Sequence, residues 1–246
     1  MSRPDAETPA NENRPGDAAA PAEKPHYHGH RDRLRRRLLD GSAGDLHDYE
    51  LLEFLLFGAR PRGDMKPLAK ALIRRFGTLG SVLAAEPEEL AAVPGMGEPS
   101  VAALKVVQEA ARRMAREVVI DRPMLTSFDA VVGYCRVAVG HEPIEQFMLL
   151  FLDRKNRLIA EERQQRGTVD HTPVYPREVV RRALELKASA IVLVHNHPSG
   201  DPTPSKADVA MTREIVAAAE ALGIAVHDHI VIAGGGHFSF RSQGLL

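Results

Sequence analysis

The spacing of apolar residues changes about halfway along the chain. Up to about residue 119, apolar side chains recur every three or four positions, as in residues 49–56 and 67–73. This period is typical of amphipathic helices, which turn one apolar face towards a core. Glycines at positions 58, 77 and 80 separate the segments, as expected near helix ends. The pattern therefore predicts an all-helical first half.

Beyond residue 122 the apolar residues occur in short, continuous runs. Residues 146–152 (QFMLLFL) and 190–194 (AIVLV) are typical of strands that are buried on both faces. Residues 177–187 and 207–222 have the period of helices. Strands that alternate with helices indicate an α/β layer, and the change of pattern places a domain boundary near residue 120.

Residues 1–25 contain many prolines, alanines and charged residues and almost no large apolar side chain. Such a segment cannot bury enough surface to offset the entropy of ordering. We therefore expect a disordered tail at 1–25, a small all-α domain at 26–120 and an α/β domain at 121–246.

Charge and cysteine content limit the possible functions. The 246 residues include 32 Lys and Arg and 33 Asp and Glu, which give a net charge of −1. Any contact with nucleic acid or anionic lipid therefore has to be local. The single cysteine, Cys135, excludes an internal disulfide and a thiolate zinc cluster. No run approaches the roughly 18 apolar residues of a membrane span, and we expect a cytoplasmic protein with no membrane partner.

One segment of the second half combines the residue types of a metal site. His195 and His197 follow the predicted strand 190–194, and residues two apart in a strand point to the same face. Prolines and a glycine turn the chain before Ser205, where a helix is predicted to begin, and Asp208 lies three residues further on. Two imidazoles and one carboxylate leave a fourth tetrahedral position open, which is the composition of a catalytic zinc site. We therefore predict one Zn²⁺ per chain, held by His195, His197 and Asp208.

Each part of this pattern also has a purely structural explanation. A His-x-His pair also occurs at ordinary strand ends, and Ser205-x-x-Asp208 is also the pattern of a helix N-cap with an acidic residue at its third position. A cap and a ligand are compatible, however, and the combination of the two patterns favours the metal site.

The same spacing carries a resemblance to a known family. His195-x-His197, followed by seven residues, Ser205, two residues and Asp208, resembles the JAMM signature of MPN-type metallopeptidases. The string HNHPSGDP that begins at His195 resembles the RadC family. The resemblance implies a mixed sheet flanked by helices and a zinc ion bound by these two histidines and Asp208. It also implies that Ser205 stabilises an oxyanion and that an upstream glutamate is the general base.

Three glutamates are candidates for that base. In JAMM domains the glutamate precedes an early strand, and Glu145 lies just before the apolar run 147–152. Glu142 lies three residues earlier, and Glu178 falls in the first turn of a predicted helix, where the helix dipole already explains an acidic residue. We therefore predict Glu145 as the base.

Two other histidine patterns resemble metal motifs. The sequence that starts at His141 lacks the second histidine of a zincin, and a proline interrupts the helix that this motif needs. His227 and His229 lie in an apolar run without a serine and an aspartate at the required spacing. We expect this pair to be structural or to hydrogen-bond to the metal ligands.

A glycine-containing segment of the first half resembles a helix-hairpin-helix motif, residues 90–104 (LAAVPGMGEPSVAAL). Backbone N–H groups after such a turn can hold a phosphate. DNA-binding hairpins commonly place a Lys or Arg where this chain has Glu98, and the five arginines within residues 31–37 form a better electrostatic footprint. DNA contact and a protein-docking role both stay open for this half.

Two functional hypotheses follow. The first is a zinc metallopeptidase that hydrolyses a peptide or isopeptide bond in a protein or peptide substrate of unknown identity. The alternative is a DNA-binding accessory protein, associated with repair or recombination, that contacts DNA through residues 26–120 and has a structural or vestigial metal site. An open coordination position and a general base favour the first hypothesis. Nothing in the sequence indicates the oligomeric state.

Overall fold

A computed structural model describes residues 29–120, 128–164 and 174–246. The predicted tail at 1–25 lies outside these residues, and so do the first residues of the predicted second domain. Within the described ranges, no helix combines the length and the apolar character that a membrane span requires.

Helices form the first half of the described chain, as the apolar period predicts. Besides a 3₁₀ turn (Ser42–Asp45), residues 29–120 contain α1 (His30–Leu39), α2 (Asp48–Ala59), α3 (Lys66–Phe76), α4 (Leu79–Ala84), α5 (Pro87–Ala91) and α6 (Glu98–Ile120). Their core is built from leucines at helical spacing, such as Leu52 and Leu56 on α2 and Leu68 and Leu72 on α3. That these helices form a separate domain stays a prediction.

The connection between α5 and α6 depends on a glycine. Gly95 has a φ of +91°, a region that residues with a Cβ rarely adopt. Its carbonyl accepts a hydrogen bond from Nη1 of Arg60 at 2.6 Å, which ties the connection to the end of α2. The helix-hairpin-helix assignment and its link to DNA binding stay predictions.

The second half is a mixed five-stranded sheet with helices on both faces. Its elements are α7 (Phe128–Val139), β1 (Phe147–Leu152), β2 (Leu158–Arg163), α8 (Pro176–Glu185), β3 (Ala190–Asn196), α9 (Lys206–Glu220), β4 (Ala225–Ala233) and β5 (Gly236–Ser239). The strand order is β2-β1-β3-β4-β5. Strands β3 and β4 are parallel, whereas the other neighbours are antiparallel. The predicted mixed sheet flanked by helices is confirmed.

The central strands are buried on both faces, because helices cover both sides of the sheet and the side chains alternate between the two sides. Along β1, Phe147, Leu149 and Phe151 pack against α8 and α9, whereas Met148 and Leu150 pack against α7. Every residue of β1 and β3 is buried. This two-sided burial is the physical origin of the continuous apolar runs in the sequence.

One irregularity of the sheet determines which side chains of β4 face which side. The pairing between β3 and β4 skips His227, which is an extra residue in β4. A single inserted residue reverses the faces of the residues beyond it. As a result, His229 lies on the same face of the sheet as His195, and Asp228 faces α7.

A cluster of charged and polar side chains joins the two halves. Arg112 and Arg116 of α6 contact the carboxylate of Glu161 on β2 at 2.7 and 3.1 Å. The hydroxyl of Tyr134 on α7 donates a hydrogen bond to the same carboxylate. Val119, also on α6, belongs to the core between the sheet and α7. Helix α6 is therefore anchored to the second half by both apolar and charged contacts.

We expect Glu161→Ala to lower the free energy of unfolding by about 1–3 kcal/mol, because it leaves the buried hydroxyl of Tyr134 without its acceptor. Glu185→Ala is the control, since it removes a carboxylate that pairs with two arginines on the exposed side of α8. Such a solvent-exposed pair contributes little to stability. Urea unfolding measures both variants, and equal effects would contradict an anchoring role for Glu161.

Candidate metal centre

His195 and His197 project from the end of β3, the middle strand of the sheet. His195 is fully buried. The main chain stays extended beyond the strand, because the N–H of His197 donates to the carbonyl of Ile232 on β4 at 2.8 Å. The two imidazoles consequently share one face, with their Nε2 atoms 2.9 Å apart.

Asp208 is directed towards these histidines by the first turn of α9. Ser205 is the N-cap of this helix, and its hydroxyl accepts a hydrogen bond from the N–H of Asp208 at 3.1 Å. In return, Oδ2 of Asp208 accepts hydrogen bonds at 2.7 Å from both the N–H and the hydroxyl of Ser205. Ser205 and Asp208 therefore form a helix capping box, and Asp208 is at the same time directed towards the two histidines.

The three side chains converge on one point. Oδ1 of Asp208 lies 3.6 Å from Nε2 of His195, and Oδ2 lies 3.6 Å from Nε2 of His197. Around a zinc ion with ligands at about 2.0–2.1 Å, tetrahedral ligand atoms lie about 3.3 Å apart. One small cation fits between these atoms with only minor adjustment. His195, His197 and Asp208, here called the metal group, form a possible metal-binding site, as the sequence predicts.

Burial and neighbouring charges set the protonation of this group. Burial lowers the pKa of His195 to about 4, so its imidazole is neutral at neutral pH. A hydrogen bond with Asp208 raises the pKa of His197. Burial alone would raise the pKa of Asp208, but hydrogen bonds from His197 and Ser205 hold it well below its usual range, helped by the charge that His195 acquires only in acid. An ionised carboxylate thus lies beside a neutral imidazole, which suits a cation.

The hydrogen bond on the far side of the His197 ring selects its tautomer. Nδ1 of His197 lies 2.8 Å from the carbonyl oxygen of Asp201. Because a carbonyl can only accept, Nδ1 carries the proton. In the neutral ring Nε2 then has a free lone pair, which points towards Asp208 and His195.

A chain of three hydrogen bonds selects the tautomer of His195 in the same way. The hydroxyl of Thr212 donates to the carbonyl of Asp208 at 2.5 Å, so its oxygen accepts from Nδ1 of His229 at 2.6 Å. Burial lowers the pKa of His229 well below its ordinary value, and its ring is neutral with Nε2 unprotonated. That nitrogen accepts from Nδ1 of His195 at 2.7 Å. The proton of His195 is therefore on Nδ1, and its Nε2 is free to bind a metal.

Sequence reasoning left the role of the second histidine pair open and did not identify Thr212. His229 contacts the metal group, whereas Nε2 of His227 lies 2.6 Å from Oδ1 of Asn156, away from it. Thr212 follows Asp208 by four residues on α9, so the helical period places both on one face. That period is the signal that could have identified Thr212.

The three candidate glutamates lie in different surroundings. Glu145 lies close enough to His197 for its charge to contribute to the raised pKa of that ring, after the larger effect of the hydrogen bond with Asp208. Glu142 is buried and accepts a hydrogen bond from Nε2 of Gln146 at 3.1 Å. Glu178 lies in the first turn of α8 and pairs with Arg181.

Asn196 joins the segment before β1 to the end of β3. Its side chain points to the face opposite the two histidines, and its Oδ1 accepts from the N–H of Gln146 at 2.8 Å. Its Nδ2 donates to the carbonyls of Glu142 and Ile144 at 3.1 and 3.2 Å. These three bonds hold the main chain of residues 142–146, the segment that contains Glu145.

Comparison with known proteins agrees with this geometry. The family model described as RadC-like JAB domain matches residues 125–245. A protein of Rhodobacter capsulatus named UPF0758 protein is 61% identical over 213 residues, which are 87% of this chain and 100% of the relative. The mixed sheet and its two histidines and aspartate thus define a JAB-type domain. The chain belongs to the RadC family.

We expect Thr212→Val and His229→Gln to weaken Zn²⁺ binding by about 10- to 100-fold without abolishing it, because the tautomer of His195 is no longer selected. Thr212→Ser keeps the hydroxyl and should bind as tightly as the unmodified protein. His227→Gln is the matched control on the same strand. Zinc affinity is measured by competition with a chelator, and nitrogen NMR reports the His195 tautomer. Unchanged affinity in Thr212→Val and His229→Gln would refute the hydrogen-bond chain.

Proposed function

We propose that the chain is a zinc-dependent metallohydrolase that cleaves a peptide or isopeptide bond in a protein or peptide substrate. One observation carries the proposal: two imidazole nitrogens and one carboxylate oxygen lie within 4.8 Å of one another, and the hydrogen bonds at Nδ1 of both rings leave Nε2 to bind a metal. No fourth histidine, cysteine or carboxylate completes this group in the described ranges. Structural zinc sites commonly have four protein ligands, whereas three leave a position open for water.

Side chains around the group have the roles that hydrolysis requires. When bound, zinc supplies Lewis-acid activation of a water molecule. Glu145 accepts the proton of that water and transfers it to the leaving amine. Ser205 donates to the carbonyl oxygen as charge develops there. Its hydroxyl proton points to Asp208 in this structure, and a rotation about one bond redirects it while Oγ still caps α9.

The surroundings of the three glutamates support Glu145 as the base. A base has to act beside the metal group, and the contacts of Glu142 with Arg163 and Gln146 lie outside that group. Glu178 pairs with an arginine on the exposed side of α8. Glu145 is the candidate whose charge acts on a ligand of the metal group.

DNA binding through residues 26–120 stays the alternative, and the arginine cluster gives it limited support. Arg31 donates to main-chain carbonyls, including that of Gly63 at 2.8 Å. Arg37 pairs with Glu50 at 2.7 Å, and Arg35 pairs with a neighbouring aspartate on α1. Three of the five arginines therefore have partners within the chain.

A reducing, cytoplasmic setting fits the buried Cys135 and is part of the proposal.

We expect His195→Ala and Asp208→Ala each to reduce bound zinc far below one ion per chain, because each variant removes one of three protein ligands. Metal analysis of the purified variants measures this, with His227→Ala as the control that retains zinc. Full occupancy in the double variant His195→Ala, His197→Ala would eliminate this site.

We expect Glu145→Gln to retain zinc and to lose about 10²- to 10⁴-fold in hydrolysis, because only the proton acceptor is removed. Ser205→Ala should also retain zinc and lose about 10²-fold or more, with a small loss of helix stability from the missing cap. Glu178→Gln should keep full activity. Hydrolysis of an unbiased peptide library, measured together with zinc content, tests the three variants. A larger loss in Glu178→Gln than in Glu145→Gln would move the base to α8.

A further inference from the structure

A cleft of about 820 Å³ lies between the helical half and the end of the sheet where β3 carries the metal group. Its helical side is formed by the end of α3 and the start of α4, and includes Arg75 and Ser81. Its other side includes His141, the metal-group residue His197 and the turn between β4 and β5. The first half of the chain thus supplies one wall of a space that reaches the metal group.

The two walls meet at Gly80. A Cβ at this position would lie 2.6–2.8 Å from ring atoms of His141, well inside the distance at which carbon atoms pack. The ring of His141 therefore lies directly over the main chain of Gly80, so that the two walls are in contact here.

The charges that line the cleft are of both signs. Its arginines are Arg75 and Arg136, and its carboxylates are Asp48, Glu89 and Glu142. Binding to nucleic acid depends on an excess of basic side chains along the phosphate backbone, and this lining has no such excess. Mixed charges beside apolar side chains suit a polypeptide, whose side chains are equally mixed.

The cleft also exposes main chain. Its lining includes five glycines, Gly80, Gly140, Gly200, Gly234 and Gly235. Gly200, Gly234 and Gly235 are exposed and have no side chain that covers their main chain, and an extended peptide binds by hydrogen bonds to such groups. Nη2 of Arg136 donates to the carbonyl of Gly235 at 3.0 Å, which holds the turn between β4 and β5 in place.

We propose that this cleft binds the polypeptide segment next to the scissile bond, and that the corner between α3 and α4 contributes to selecting that segment. The proposal rests on the proposed function and extends it to the helical half. That half is then a part of the substrate site, and the occupant of the cleft is an extended peptide.

Hydroxamates test this proposal because they chelate zinc and require no catalysis. Acetohydroxamate reaches only the metal, whereas a pool of acetylated tripeptidyl hydroxamates also extends into the cleft. Both probes are titrated into the full-length, zinc-loaded protein. For the unmodified protein we expect the tripeptidyl hydroxamates to bind more tightly than acetohydroxamate.

Two pairs of variants test whether this additional affinity comes from the helical side of the cleft. Ser81→Trp fills the helical side of the cleft and should weaken the tripeptidyl probes by about 10-fold or more, with acetohydroxamate unchanged. Arg74→Trp introduces the same ring on α3 outside the cleft lining and should change neither probe. Arg75→Glu should shift the preference of the pool towards basic side chains, whereas Arg74→Glu should not. Thermal midpoints identify any variant that does not fold.

The remaining outcomes contradict either the role of the cleft or the zinc site itself. If the tripeptide adds no affinity, or adds affinity that Ser81→Trp and Arg75→Glu leave unchanged, the role of the cleft is overturned while the zinc site stands. If neither probe binds, the zinc site itself is overturned. If duplex DNA displaces the tripeptidyl probes, the cleft binds nucleic acid and the proposed peptide occupant is wrong.

Discussion

The metal group depends on the pairing of β4 with β3 around one extra residue, His227. With regular pairing, Asp228 would face the metal side and His229 would face α7. The extra residue exchanges the two positions, so that a neutral imidazole lies against His195. As a neutral acceptor, His229 keeps the Nδ1 proton on His195 without adding a further charge to the buried site. The irregularity thus supports both the burial and the chemistry of the site.

The end of β3 serves two purposes because its side chains alternate. His195 and His197 point to the metal side, and Asn196 between them points to the other face. Through three hydrogen bonds to main chain, Asn196 holds the segment that contains Glu145. Two of the three predicted metal ligands and the proposed base are consequently positioned by the same short stretch of backbone. A rigid strand in the middle of a sheet suits this purpose better than a loop would.

The helical half is connected to this site by contacts of several kinds. Glu161 joins α6 to the edge strand β2, Val119 enters the core beside α7, and Gly80 lets the α3–α4 corner approach His141. These contacts bring the first half of the chain to within reach of the metal group. The proposed role of this half in binding a peptide depends on these contacts.

The sequence by itself determined the helical first half, the buried strands β1 and β3 and the residues of the possible metal site, because each depends on a short stretch of chain. The helical period, the buried runs of β1 and β3, and the spacing from His195 to Ser205 and Asp208 are all local, and the family resemblance rests on the same residues. The tertiary structure decided what depends on residues far apart. The partners of Glu142 come together when β2 pairs with β1, the face of His229 depends on the register of β4, and the cleft needs α3 and α4 beside the sheet. Strand register and helix packing bring distant residues together, and the local pattern of polar and apolar residues does not encode those contacts.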